Sequence, residues 1–356
     1  MEHGFPASAS EVTPEWLTAR LKAAGVLREG RVTAIAWEPI GTGQVGDSAR
    51  FTLSYDPPGA GPPTIAGKFA AADPASRATA AALGLYAKEA GFYRDLAARL
   101  TIRTPRALAC EIAPDASDFV LLFEDLGPAR GGNQLAGCAI EDAREAVRQL
   151  AGLHAPSWGN AALTGQAWLQ PPPGALELLR GAYPQATAVF AERYAGELAP
   201  ELMAICHQLA RRGDDWFGRA AANSCLIHGD YRLDNLLFAI RGGAEPIGVL
   251  DWQTVAVGSG PTDLAYFLGA GVGTSLRAAH EDELIALYCA EMTRAGVPLT
   301  RAAVWDDYRR GALHGVSTAV FSAAFVERTT RGDAMFLDMA RGACQLALEH
   351  DSLGSL

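Results

Sequence analysis

Between Arg31 and Ala70 the apolar positions come in short runs broken by glycine and proline: RVTAIAWEPIG, ARFTLSY and TIAGKFA, the last two separated by DPPGAGPP. This pattern predicts three short strands joined by hairpin-like turns. A helix over residues 13–24, entered at Thr13-Pro14, precedes them. The rhythm then becomes helical. Tyr86, Glu89, Tyr93, Leu96 and Leu100 recur at helical spacing and predict one helix over 75–100. Phe119 to Phe123 form an unbroken apolar run, read as a buried strand ending in a turn at Glu124-Asp125-Leu126-Gly127. Helical patterning holds from about 140 to 222, interrupted at Pro171–Pro173. A second β segment follows: SCLI, then strands over 236–240 and 247–250 around the turn RGGAEP. From about 261 to 350 the pattern is again helical.

The predicted class is therefore α+β. A small N-terminal antiparallel sheet with a helix is expected over residues 1–126, and a large, mostly helical C-terminal lobe over 127–356. No internal repeat of solenoid period is present.

Composition narrows the function classes. A chain of 356 residues, 49% hydrophobic and without low-complexity stretches, can fill two lobes. Its net charge of -10 disfavours nucleic acid as a partner, because phosphate contacts need clustered Lys and Arg. Six scattered cysteines, none in CxxC spacing, suggest neither a disulfide framework nor a thiolate metal site, which fits a cytoplasmic location. The opening MEHGFPASASEVTPEW lacks a signal-peptide layout, and no uncharged apolar run reaches membrane-spanning length. No obligate protein partner is evident.

The chemistry concentrates in one stretch. His228-Gly229-Asp230 is followed by Asn235, and Asp251 comes after a hairpin. Asn235 stands immediately before one predicted strand and Asp251 immediately after its partner, so antiparallel pairing puts both at the same open end. A carboxylate and an amide oxygen there suit a hard cation such as Mg2+. Asp230, on the loop entering the hairpin, can meet a substrate hydroxyl. One acid accepting a hydroxyl proton while metal ligands neutralise phosphate charge is the division of labour of phosphoryl transfer. Each residue alone could instead cap a turn. The joint order and spacing favour the chemical reading.

HGDYRLDNLLF followed by VLDWQTVAVGSGPTDLAYFL resembles the aminoglycoside phosphotransferase and choline-kinase-like superfamily of small-molecule kinases, which includes ecdysteroid-kinase-like proteins. The resemblance covers roughly 35–345 and is most specific around 225–268. It implies a bilobal protein-kinase-like fold, ATP as donor, Asp230 as catalytic base, and Asn235 and Asp251 as Mg2+ ligands. It also implies that His228 supports the loop and that Asp263 stabilises the catalytic lobe.

Other positions complete the expectation. Gly41, Gly43 and Gly46 form G-x-G-x-x-G between two predicted strands, a context that suits a loop over phosphates and fails the dinucleotide-binding test, which needs a following helix. Lys68 lies in an otherwise apolar strand and Glu89 on the apolar stripe of a helix, so each explains the other. The resemblance assigns Lys68 to the ATP phosphates and Glu89 to holding it. FVLLFEDLG resembles the family's hinge, which makes Glu124 to Leu126 the candidate adenine contacts. His154, in LAGLHAPSW, is expected to pack rather than react. Arg232 faces either transferred phosphate or an acidic substrate, or forms a surface salt bridge with Asp234.

The acceptor is less defined. Acidic and basic residues mix over 276–351, unlike a cradle for polycations, and the apolar run ALHGVSTAVFSAAFV at 312–326 is either a core helix or a pocket wall. The expectation is an ATP- and Mg2+-dependent kinase of a small hydroxylated molecule, with Asp230, Asn235 and Asp251 meeting in one cleft opposite Lys68. A catalytically silent nucleotide-binding protein of the same fold is the alternative. A protein kinase is disfavoured by DWQ in place of DFG and by the lack of an APE-like segment.

Overall fold

The structure, a computed structural model, describes residues 4–41, 46–171, 173–217 and 224–356. The chain forms two compact units. The first comprises residues 1–99, 104–127 and 251–253, and the second 100–103, 128–250 and 254–356.

The first unit is built on a five-stranded antiparallel sheet of β1 (Arg31–Pro39), β2 (Gly46–Asp56), β3 (Thr64–Ala70), β4 (Ala107–Ile112) and β5 (Phe119–Glu124), in the order β1-β2-β3-β5-β4. Alternation along the strands sends two apolar sets to opposite faces. Phe51, Leu53, Ile65, Phe69, Val120 and Leu122 pack beneath α1 (Pro14–Ala23), which contributes Trp16, Leu17 and Leu21. Thr13 caps α1 by accepting the Trp16 N–H, and Pro14 fills its first turn, where a backbone donor is not needed. On the other face Phe119 stacks on Tyr86 at 4.6 Å and Phe123 meets Tyr93 at 4.6 Å. Lys68 shares that face, because it pairs in register with Leu121.

The single helix expected over 75–100 is broken. It consists of α2 (Pro74–Ala82) and α3 (Leu85–Gly91), followed by a wider turn at Phe92–Leu96 and a tighter one at Ala97–Arg99. Gly84 separates the two helices with φ +69, a backbone state that a helix interior does not allow. The apolar spacing survives the break, since Tyr86, Glu89, Tyr93 and Leu96 are all buried. Strand β4 escaped the sequence reading, and it completes the sheet edge.

The second unit is mostly helical. Its main helices are α4 (Ile140–Ser157), α5 (Ala175–Arg193), α6 (Pro200–Arg211), α7 (Gly260–Tyr266), α8 (Thr274–Arg294), α9 (Arg301–Phe325) and α10 (Thr330–Glu349). The apolar run at 312–326 belongs to α9, which packs against α5, α7 and α10 and is buried at Ala312, Leu313, Val316, Val320 and Ala323. Two small β elements sit in this frame. One joins β6 (Arg130–Gly131), β8 (Leu236–Ala239) and β9 (Glu245–Val249), with Leu236 opposite Val249. The other pairs β7 (Ser224–Ile227) with β10 (Ala256–Ser259). The predicted hairpin is therefore present as β8–β9, with its first strand ending at Ala239 and its second beginning at Glu245. Among the described residues no helix is long and apolar enough to cross a membrane.

Candidate active site

In the first unit a lysine is held between two acids. The Lys68 Nζ lies 2.7 Å from Glu89 and 2.9 Å from Asp251. Strand β3 is interior to the sheet, so Lys68 cannot swing to an edge. Helix α3 presents Glu89 to it from above the same face, at 2% exposure. Burial opposes the ammonium charge, but the carboxylates of Asp251 and Glu89 outweigh it and hold the Lys68 pKa above its ordinary value. Lys68 is thus a fixed cation at any physiological pH.

Asp251 reaches this unit on a short segment anchored by its neighbour. Trp252 is fully buried and stacks on Phe92 with ring centroids 3.7 Å apart. Asp251 itself has φ +64, unusual for a residue with a side chain, and Gln253 Nε2 donates to its second oxygen at 3.2 Å. Gly46 opens β2 directly over Lys68, where a Cβ would lie 2.9 Å from the Phe69 carbonyl and 3.3 Å from Lys68 Cε. Gly41 is exposed, with φ +75. Gly43, the centre of the glycine pattern, lies outside the described residues, as do residues 42, 44 and 45. The segment after β5 is pinned in place. Glu124 accepts the Arg106 N–H at 2.9 Å, Arg50 grips Asp125 with two bonds of 2.8 and 3.1 Å, and Leu126 is buried.

In the second unit the loop after β7 carries Asp230. Gly229 adopts φ +80, and a Cβ there would sit 2.7 Å from the Thr254 carbonyl, so glycine is required. His228 is buried and acts as a strut. Its Nε2–H donates to the Leu250 carbonyl at 2.9 Å, which leaves Nδ1 to accept the Asp230 N–H at 3.3 Å. Asp263, from α7, closes the loop from behind, accepting N–H bonds from His228 at 2.6 Å and Gly229 at 3.0 Å.

His154 belongs to that support. Its Nε2–H donates to Asp263 at 3.2 Å and its Nδ1 faces the Tyr288 hydroxyl at 2.9 Å, with the ring wholly buried. A Cβ on Gly260 would lie 2.7 Å from that hydroxyl and 2.8 Å from Nδ1, so this contact needs glycine on α7. Burial would push the Asp263 carboxyl up, but its bonds from His154 and the charges and N–H groups around it bring it below the usual carboxylate range.

The Asp230 carboxylate receives three donors. Tyr266 O–H lies 2.6 Å from Oδ1 and Asn235 Nδ2–H 2.9 Å from Oδ2, while Arg232 Nε–H spans both oxygens at 3.1 and 3.2 Å. Asn235 also donates to the Asp230 carbonyl at 2.8 Å. Its side-chain nitrogen is thus committed to Asp230, which leaves the side-chain oxygen as its acceptor. The main-chain carbonyl of Asn235 accepts the Leu250 N–H at 2.9 Å.

Arg232 forms the expected salt bridge with Asp234, but not at the surface. It is largely buried and joins Asp230 to Asp234, its Nη1 lying 2.9 Å from Asp234, because the loop turns it inward against Met335. Tyr266 was not foreseen from sequence, although it stands one helical turn beyond Asp263 and so shares its face of α7. His314, whose Nε2–H donates to the Gly229 carbonyl at 2.7 Å from α9, carried no local signal at all.

The model of the ecdysteroid kinase-like family matches residues 64–297. A structure from Ralstonia eutropha JMP134, provisionally described as an aminoglycoside phosphotransferase, is similar over 94% of this chain and 98% of its own, with a TM-score of 0.55 and 17% identity. A microcompartment-associated aminopropanol kinase is similar over 94% and 98%, with a TM-score of 0.54 and 18% identity. At these identities the structures establish a shared kinase-like fold. No curated protein matches the sequence.

Proposed function

The chain belongs to the ecdysteroid kinase-like family, and from that premise we propose that it transfers the γ-phosphoryl group of ATP to a hydroxyl of a small molecule. Asp230 accepts the hydroxyl proton, the acceptor oxygen bonds to the γ-phosphorus, and the bond from that phosphorus to the β-phosphate oxygen breaks to release ADP. Lys68, oriented by Glu89, pairs with the ATP phosphates, with Gly46 close beside it. Glu124 to Leu126 offer the backbone edge to adenine. Asn235 and Asp251 would hold Mg2+, which supplies neutralisation of phosphate charge when bound.

The observation that carries this reading is the Asp230–Asn235 pair. One amide group fixes Asp230 at two points, at 2.8 and 2.9 Å, and its side-chain oxygen is the atom left to serve a cation. The test is a coupled ADP-release screen with aminoglycosides, choline, amino sugars, sterols and hydroxyacyl thioesters. ADP release that depends on an added alcohol, on Mg2+ and on Asp230 is expected. Tight ATP binding with no acceptor-dependent turnover across the panel would replace the reading with a silent nucleotide-binding role.

A further inference from the structure

Resting on the phosphotransferase reading, we propose that Arg232 is the specificity-determining residue of the acceptor site: it covers the Asp230 carboxylate until an acceptor hydroxyl takes its place, and it turns away acceptors that carry a positive charge.

A carboxylate oxygen offers about two acceptor positions. Oδ1 of Asp230 receives Tyr266 at 2.6 Å and Arg232 at 3.1 Å, and Oδ2 receives Asn235 at 2.9 Å and Arg232 at 3.2 Å. The carboxylate is full. An incoming hydroxyl that is to give up its proton must first donate to one of these oxygens, so a donor has to leave.

The three donors are not equally free to do so. Tyr266 makes the shortest bond, is buried, and is wedged edge-on against the His314 ring at 5.2 Å. Asn235 is buried and tied to the Asp230 main chain as well as to its carboxylate. Arg232 makes the two longest bonds through one shared N–H. Its Nη1 is separately bonded to Asp234 at 2.9 Å, so the guanidinium can leave Asp230 without losing its other anchor. Arg232 is the donor that yields.

Asp234 also accepts Arg331 on both oxygens at 2.9 Å and the Gln134 N–H at 2.9 Å. When Arg232 leaves Asp230 it stays bonded to Asp234, which then holds both guanidiniums, Arg232 and Arg331. An ammonium brought in beside Asp230 would meet the displaced Arg232 at short range, with Asp234 already matched by two cations. An uncharged or anionic alcohol meets no such repulsion.

The test uses three acceptors of one length: butane-1,4-diol, 4-hydroxybutanoate and 4-aminobutan-1-ol. Apparent kcat/KM from ADP release, and dissociation constants from calorimetry in the presence of a non-hydrolysable ATP analogue, are measured for the wild type, Arg232→Gln, Arg232→Lys and Arg331→Gln. In the wild type the diol or the hydroxy acid should exceed the amino alcohol by at least ten-fold in both measurements. Arg232→Gln should shrink that ratio below three-fold, and Arg232→Lys should retain it. Arg331→Gln, at a half-exposed position that a folding defect does not threaten, should reduce it partly. A wild-type preference for the amine, or a ratio untouched by Arg232→Gln in folded protein, overturns the proposal. The predicted order in binding without ADP release from any alcohol would sink the phosphotransferase reading and leave the charge rule standing.

Discussion

Lys68 and Asp230 are both single charges fixed by their neighbours, but the two clusters are assembled in opposite ways. Lys68 is a cation between two acids, and those acids come from far along the chain, Glu89 on a helix and Asp251 on a segment 183 residues away. Asp230 is an anion beneath three donors, and two of them, Arg232 and Asn235, stand within five residues of it on the same loop. The loop around Asp230 is shaped locally by glycine geometry and by His228, then braced by α7. The lysine cluster exists only because sheet, helix and return segment meet. The surroundings of Asp230 are therefore half local and half supplied by distant helices, whereas both partners of Lys68 come from far along the chain.

The largest effect should come from Asp230, the proposed base. Asp230→Asn keeps the shape but removes the proton acceptor, and is expected to lower turnover by roughly 100- to 10,000-fold. Nucleotide affinity, read by calorimetry, should stay within a few-fold. Turnover equal to the wild type would remove Asp230 from the chemistry.

Lys68→Met should show the other side of the comparison. It strips the counter-ion from a Glu89 that is 2% exposed, and breaking a buried pair in this way costs about 3–5 kcal/mol of stability. Urea unfolding should register that loss, and Lys68→Met combined with Glu89→Leu should recover much of it. A Lys68→Met protein as stable as the wild type would mean that the pair is not buried in solution.

Asp263→Asn addresses the brace behind the base. It leaves buried N–H groups of His228 and Gly229 with a weaker acceptor, for a loss of about 1–3 kcal/mol. The pH dependence has a definite sign. Because the folded Asp263 pKa is lowered, its contribution is fully present above the ordinary aspartate value of about 3.9 and disappears as pH falls through the lower folded value. The melting temperature of Asp263→Asn should therefore fall less steeply with acid than that of the wild type. Parallel curves for the two proteins would contradict the assignment.

The smallest of these effects is Gly229→Ala. The left-handed backbone there, φ +80, makes any side chain cost about 1–2 kcal/mol, with the close Thr254 carbonyl adding to it. Reduced turnover with a modest drop in melting temperature is expected. A neutral substitution would show that the loop relaxes without consequence.

Much of this was legible beforehand. The strands at 31–70 and the buried run at 119–123 announced themselves through alternation and glycine-proline turns, and the β8–β9 hairpin through RGGAEP. The pairing of Lys68 with Glu89 followed from two charges placed in apolar stripes. The break at Gly84 was not read, because the apolar spacing continues across it in phase. The same is true of β4, whose polar residues Cys110 and Glu111 blur its alternation.

By itself the sequence determined which residues could do chemistry and how they are ordered, since the short-range geometry of HGDYRLDN is set by backbone preferences within a few residues. Tertiary structure alone decided what each of those groups touches. Tyr266 and His314 reach the Asp230 loop from helices 36 and 84 residues further on, and Asp234 meets Arg331 across 97 residues. A hydrogen bond depends on position to within tenths of an ångström, and no periodicity along a chain fixes the relative placement of side chains that far apart.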